Sequence, residues 1–269
     1  GNAIDFGDLL SVRATAGGAS SLTRALFLGG TSGGQPNADD VIQSIEMQSQ
    51  GNCADFGNLS GAAYKSSGLS STTRAVVALG NASGSHSDTL EYVTIASAGN
   101  ITDFGNLTDA RKTIGTCGSS TRGLHGGGSD PSVLNIIDYI TIASAGNSTD
   151  FGDLSAARSD TASCSSGTRG VWGMGAEPGF VNTIEYVTIS STGDVTDFGD
   201  LTVARAYGAS ISSNIRGVFA GGDAPSTVNT MDYITIASTG DAADFGDMIA
   251  VNRRISAGNI SDSHGGLQG

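Results

Sequence analysis

Asp232-Tyr233-Ile234-Thr235-Ile236-Ala237, then Ser238-Thr239-Gly240-Asp241, then Asp244-Phe245-Gly246-Asp247, is the stretch that decides the fold. Its first six residues alternate, with Ile234 and Ile236 on one face and Tyr233 and Thr235 on the other. That is the period of a β-strand, in residues that favour one. Gly240-Asp241 supplies residues that tolerate positive φ, as a tight hairpin needs. The chain then returns through the Asp-Phe-Gly segment.

Working outward, the stretch proves to be one copy of many. Asp-Phe-Gly begins at Asp5, Asp55, Asp103, Asp150, Asp197 and Asp244, at spacings of 50, 48, 47, 47 and 47. A Gly-Asn or Gly-Asp pair precedes each copy. Arginine follows five of the aspartates by 19 residues, at Arg24, Arg74, Arg122, Arg169 and Arg216. A second arginine slot lies eight residues after the aspartate, at Arg13, Arg111, Arg158 and Arg205, and is Ala63 and Asn252 in the other copies. Each repeat holds a Tyr-bearing strand, an Asp-Phe-Gly strand, a small-residue strand (around residues 206–210 in the last full copy) and a Gly-rich strand after the arginine. No segment has a helical period.

Four short antiparallel strands every ~47 residues mark a β-propeller blade. Gly-Gly, a variable loop and a Tyr-bearing strand follow one another in the kelch order. The expected fold is therefore all-β: a kelch-like β-propeller of six four-stranded blades, one domain over residues 1–269. The repeats start near Asp5, Asp55, Asp103, Asp150, Asp197 and Asp244, the last incomplete. The sixth blade is shared between the termini. The C-terminus gives its two inner strands, the Gly-rich one ending in residues 264–269, and the first Asp-Phe-Gly gives the outermost one, which closes the ring and removes free edges. The first Tyr-type copy, residues 45–49, is three residues shorter and lacks the tyrosine. No Tyr-bearing strand precedes Gly1-Asn2. The expectation is that the gene product continues upstream with that strand. The alternatives are a three-stranded blade or a strand donated by another chain.

Composition narrows the function. The chain has 41 glycines in 269 residues and a formal charge of −13. Such a balance argues against nucleic acid and against an anionic membrane surface. No apolar stretch is long enough to span a bilayer. Cys53, Cys117 and Cys164 are too few for a disulfide framework, and the last two share a repeat register, so they read as small buried apolar groups. Nine of the 13 basic residues occupy the two arginine slots. They are expected to pair with the repeated aspartates or to cap carbonyls between blades. Asp194, Asp197 and Asp200 do not sit in a calcium-loop pattern.

Catalytic sets are missing from the sequence. His86, His125 and His264 have no metal-ligand spacing among themselves. His125 stands where other repeats place Phe27, Val77, Trp172 and Phe219, a packing position. The expectation is no enzyme, no cofactor and no metal. Symmetry breaks only in the loops before the Tyr-bearing strands, residues 31–43, 81–88, 128–135, 176–182 and 223–229. Equivalent propeller loops share one face, and loops on a rigid scaffold carry binding. The candidate binding residues are Asn37, Asp39, His86, Asp130, Glu177, Phe180 and Asp223.

The repeat, best seen in residues 138–158 and 232–248, resembles repeats of virion structural proteins of tailed phages, most of all marine phages of cyanobacteria. Residues 261–267 also resemble how such proteins end. The resemblance covers essentially the whole chain. It implies a non-catalytic virion protein, tail- or fibre-associated, located in the particle. Its partners would be other virion proteins and a host surface glycan or protein, with no nucleic acid and no membrane insertion, and self-association is compatible with it. A cellular kelch-type interaction scaffold is the alternative, and a carbohydrate-active propeller enzyme ranks third.

Overall fold

The structure, a computed structural model, describes residues 5–32, 37–82, 84–250 and 260–261. It is all-β, and no helix occurs among the described residues. The first repeat contributes β1 (Gly17–Ser20), β2 (Arg24–Leu28), β3 (Asp39–Glu46) and β4 (Ala54–Tyr64). The second contributes β5 (Ser67–Ser70), β6 (Arg74–Ala78), the short β7 (Asn81–Ala82) and β8 (Ser85–His86), then β9 (Thr89–Thr94) and β10 (Thr102–Asn106). The third contributes β11 (Gly115–Gly118), β12 (Arg122–Gly126), β13 (Ser129–Asp130), β14 (Ser132–Val133), β15 (Ile136–Thr141) and β16 (Thr149–Asp153). The fourth contributes β17 (Ala162–Ser165), β18 (Arg169–Gly173), β19 (Ala176–Glu177), β20 (Gly179–Thr188) and β21 (Thr196–Arg205). The fifth contributes β22 (Ala209–Ser212), β23 (Arg216–Ala220), β24 (Thr230–Thr235) and β25 (Ala243–Asp247), and β26 (Ile260–Ser261) follows.

Each repeat forms a meander in chain order: small-residue strand, arginine strand, Tyr-type strand, Asp-Phe-Gly strand. The five meanders remain separate hydrogen-bonded sheets, extended in the first by β7 and β8 and in the fourth by β19. Among the described residues they are not joined into a closed ring. β26 pairs in parallel with β22 and also lies near β1.

Apolar side chains on both faces of the sheets pack between consecutive repeats. Leu26, Ile42 and Phe56 meet Ala75, Val77 and Ile95 between the first two. Leu69, Leu90 and Phe104 meet Ile140 and Ile142 between the next two. Cys117, Leu124 and Phe151 meet Trp172 and Val187. Cys164, Ile184 and Phe198 meet Phe219 and Ile234. Each fully buried Val, Leu, Ile or Phe side chain among them stabilises the stack by ~1.5–3 kcal/mol.

Hydrogen bonds between repeats explain the glycine and serine content. Ser70 Oγ donates to the Ser20 carbonyl at 2.8 Å, Ser163 Oγ to Thr116 at 2.8 Å and Ser210 Oγ to Ser163 at 2.6 Å. A short hydroxyl makes this bond only where neighbouring backbones nearly touch. A Cβ on Gly68 would lie 2.2 Å from the Gly18 carbonyl oxygen, so nothing larger than glycine fits there.

The Gly-Asn and Gly-Asp pairs play a different part from the one their composition suggests. The reversal lies earlier, where the amides of Ser97, Ser144, Ser191 and Ser238 donate to the carbonyls of Thr94, Thr141, Thr188 and Thr235. The pair instead docks on the Asp-Phe-Gly strand of the preceding repeat. Gly99 N donates to Phe56 O at 2.7 Å, and the Asn100 side chain accepts from Asn58 N at 3.1 Å. Gly57, at φ +149°, would bring a Cβ to 2.1 Å from Gly99 O. At Gly7, Gly57, Gly105, Gly152 and Gly199 the glycine of Asp-Phe-Gly is thus a contact point between repeats.

Three strand expectations shift. The Tyr-type strand of the first repeat is not short: β3 runs from Asp39 to Glu46, with Ser44 in the tyrosine place. The small-residue strand of the fifth repeat starts at Ala209, because Tyr207 before it is left-handed. Residues 5–9 lie against the Gly51 corner but pair with no strand among the described residues. The inner strand expected at 264–269, including His264, and the slot residue Asn252 lie outside the described residues.

Candidate binding face

The scaffold first accounts for most of the charged groups. Arg111 meets Asp138 at 2.8 Å and Arg205 meets Asp232 at 2.7 Å, all four side chains with no exposure. Arg158 pairs with Glu185 in the same way. These acids come from the Tyr-type strands, so the repeated Asp-Phe-Gly aspartate is not the partner of this arginine slot. Asp5, Asp55 and Asp244 instead accept from the backbone two residues on, at Gly7, Gly57 and Gly246. The other arginine slot does cap carbonyls between repeats. Arg74 donates to Ile142 O at 2.9 Å, Arg122 to Ile189 O at 2.8 Å and Arg169 to Ile236 O at 2.9 Å. Each of these guanidiniums also lies 4.2–4.3 Å from the ring centre of its own repeat's tyrosine.

The buried thiols and the buried imidazole are packing groups. Burial pushes the Cys164 thiol up to about 12 and the Cys117 thiol well above its usual range. Neither is poised as a nucleophile. His125 is fully buried, and burial brings its pKa down to about 4, against the pull of Asp138. It is a neutral side chain in a core position.

The variable loops are built on a shared base. After the arginine strand the chain turns at glycines of positive φ, such as Gly127 (+67°) and Gly128 (+106°). It is then clamped to the linker ahead of the same repeat, through Lys112 with Ser129, Ser159 with Ala176 and Ala206 with Asp223. Beside each clamp sits one left-handed residue that is not glycine: Thr15, Lys65, Thr113, Asp160 or Tyr207, with φ between 54° and 62°. Such a residue costs ~1–2 kcal/mol of backbone strain. Lys65 N donates to Thr15 O and Asp160 N to Thr113 O, so these residues link one repeat to the next.

On this base two of the seven sequence candidates meet. His86 Nδ1 lies 2.6 Å from Asp130 Oδ1, across neighbouring repeats. Lys112 Nζ lies 2.5 Å from His86 Nε2 on the other side of the ring. The His86 and Asp130 side chains are 19% and 38% exposed, so the set is open to solvent. Phe180 lies on an open cleft of ≈ 440 Å³ with Val133, Pro178, Ser159 and Tyr207. The β13–β14 hairpin serves both places, giving Asp130 to the first and Val133 to the second. Glu177 is in β19 next to that cleft, its backbone paired with Gly179.

The remaining candidates have other roles. Asp39 is the ion-pair partner of Arg13 at 2.8 Å, in the one arginine-bearing repeat where Gln43 replaces the acid on the Tyr-type strand. Asp223 is buried and accepts from Thr227 Oγ1 at 3.1 Å. Asn37 is exposed, with its carbonyl taking the Ser32 amide. Sequence reasoning missed Lys112 and Tyr207. Lys112 had a signal, since it is a lysine outside both arginine slots. Tyr207 had none, because a left-handed tyrosine carries no glycine or asparagine mark.

Among the described residues no group of three or more His, Cys, Asp or Glu side chains could hold a metal ion. Among these residues no helix is long and apolar enough to cross a membrane. No protein-family model matches the chain, and no curated protein matches it.

Proposed function

We propose that this chain is a non-catalytic, kelch-like propeller module of a tailed-phage virion, associated with the tail or a fibre. In this reading the five sheets are five blades, and a sixth, shared by the two ends of the chain, completes the ring. Support for closure comes from β26, which pairs with the last small-residue strand and lies near the first. Support for the virion comes from the repeat pattern, which resembles that of such particles.

The observation that carries the binding role is the division of labour among charged residues. Arg111, Arg158 and Arg205 and their acids are buried within the scaffold, while His86, Lys112 and Asp130 meet between two neighbouring loops and Phe180 lines an open cleft beside the next. A rigid core with variable loops is suited to meeting another virion protein or a host surface glycan or protein.

The test is to purify the native particle and locate this chain by electron microscopy with a specific antibody fragment. A position at the tail or fibre is expected, with particle averages showing a six-bladed disc. Phe180→Ala and Lys112→Ala particles should then be compared for assembly and for adsorption to host cells. A particle without this chain would replace the virion reading with a cellular scaffold, and an open arc of five sheets would remove the ring.

A further inference from the structure

We propose that the first repeat holds a binding site for a small para-substituted phenol, at the place where the other repeats carry a tyrosine ring. The site shares no residue with the loop face and stands or falls without it.

The other four repeats define what belongs there. Tyr92, Tyr139, Tyr186 and Tyr233 stand opposite Val76, Leu124, Val171 and Val218 of the arginine strands. Each ring centre lies 4.2–4.4 Å from the guanidinium carbon of Arg74, Arg122, Arg169 or Arg216. Each ring also meets Phe104, Phe151, Phe198 or Phe245 edge-on at 5.8–6.0 Å. A cation over the face and an aromatic edge both favour an aromatic ring over an aliphatic group of the same size.

The first repeat keeps this frame and omits the ring. Ser44 lies opposite Leu26 on one side and Ala54 on the other, in the register of the tyrosines. Arg24 is held as its counterparts are, donating to Ile95 O of the next repeat at 2.9 Å. Its Nε also donates to Glu46 at 2.7 Å. Both bonds leave in the plane of the guanidinium, so its faces stay available for stacking. Phe56 is buried like Phe104, Phe151 and Phe198, and its ring centre is 5.9 Å from the Arg24 guanidinium carbon.

A cavity of ≈ 400 Å³ opens at this place, with Arg24, Ser44, Glu46, Ala54, Phe56 and Ala96 in its lining. A cavity of ~150 Å³ already holds a benzene. One phenol ring therefore fits beside Arg24 and Phe56. The four filled copies give its chemistry: a phenol with a short para substituent where tyrosine has its Cβ. Its source follows from the backbone. β3 itself occupies the strand position from which the other repeats project the ring. A ring that fills this cavity arrives without a strand, as a free molecule.

The experiment titrates the isotope-labelled full chain with p-cresol, which is the tyrosine side chain as a free molecule. Amide shifts at Ala54, Phe56 and Ala96 should saturate with a Kd of about 1 mM or tighter. 4-Methylcyclohexanol has a similar size without the aromatic ring and should bind at least tenfold more weakly. Ser44→Tyr should fill the place from within, abolish p-cresol binding and raise the melting temperature. Phe56→Leu removes the aromatic edge and should weaken p-cresol binding while leaving 4-methylcyclohexanol unchanged. No saturation up to about 10 mM p-cresol, equal affinity for the two probes, or p-cresol binding retained by folded Ser44→Tyr would overturn the proposal. Tighter binding of N-acetyltyrosinamide than of p-cresol would also overturn it, by giving the place to a tyrosine of another chain.

Discussion

Leu69 occupies the space that a side chain on Gly123 would need: a Cβ there would lie 2.5 Å from Leu69 Cδ2. The same relation recurs one repeat later, between Cys117 Sγ and Gly170 at 2.8 Å, and again between Cys164 Sγ and Gly217 at 2.5 Å. Between the first two repeats the corresponding residues are Ala19 and Ala75, both buried in one cluster. A larger side chain on the small-residue strand therefore goes with glycine after the next arginine. Gly123→Ala should destabilise the protein by ~1–3 kcal/mol through overpacking. Leu69→Ala alone should cost ~2–5 kcal/mol through the cavity. The double variant reproduces the alanine pair of the first interface. Denaturant titration of all four proteins should show the double variant more stable than the sum of the single effects by at least about 1 kcal/mol. Simple additivity would mean that the contact does not govern the choice of glycine.

The repeat made the strands legible, because alternation and punctuation act within a few residues of each other. The partners of the arginines were harder, since they depend on which strands the meander brings together. A signal existed all the same. Arg111 and Asp138, Arg158 and Glu185, and Arg205 and Asp232 are each 27 residues apart. The Asp-Phe-Gly aspartates drew attention as the most regular acids, yet they sit at the exposed edge strand and bond to their own turn. The loop face was legible only as variable sequence. That His86 and Asp130 would touch depends on the lateral spacing of two neighbouring repeats, which no local pattern encodes.

Glu91 tests the logic of the buried pairs. It holds the acid position of the second repeat, where Ala63 replaces the arginine. Burial raises its pKa above the ordinary value of 4.5, and the hydrogen bonds from Ser60 only partly oppose this. A carboxyl raised in the folded state binds its proton more tightly there than in the unfolded chain. Its contribution to stability is therefore greatest at low pH and is lost as pH rises from 4.5 through the raised folded value. Glu91→Gln should remove that dependence. The melting temperature of the variant should gain on the parent between about pH 4 and pH 7. A constant difference across this range would show that Glu91 does not titrate in the fold.

His125 works in the opposite direction. Its pKa falls from 6.5 to about 4 through burial, and neither ring nitrogen has a hydrogen-bond partner among the described residues. The unfolded chain takes up a proton between these values and the folded one does not. Stability is present above pH 6.5 and is lost as pH falls towards 4, by up to about 3 kcal/mol. His125→Phe places there the residue found at Phe27 and Phe219. It should flatten the acid limb of the stability curve, measured by urea unfolding at pH 7, 6, 5 and 4. An acid limb identical to that of the parent protein would show that this imidazole is not the group responsible.

The contact between Lys112 and His86 fixes a proton. An ammonium can only donate and a carboxylate can only accept. Lys112 at Nε2 and Asp130 at Nδ1 therefore require a neutral His86 to carry its hydrogen on Nδ1 and donate it to Asp130. Nitrogen chemical shifts of the labelled ring, recorded at a pH where the imidazole is neutral, should show this tautomer alone. Lys112→Met removes the donor at Nε2 but leaves the carboxylate at Nδ1, so the Nδ1-protonated form should persist in the variant. The position of the loops need not change, because Lys112 and Ser129 are also joined through their backbones. An Nε2-protonated ring in the parent protein would show that Lys112 does not donate to it. The ring would then have no hydrogen on Nδ1 to give Asp130, and neither contact would bridge the loops of the second and third repeats as a hydrogen bond.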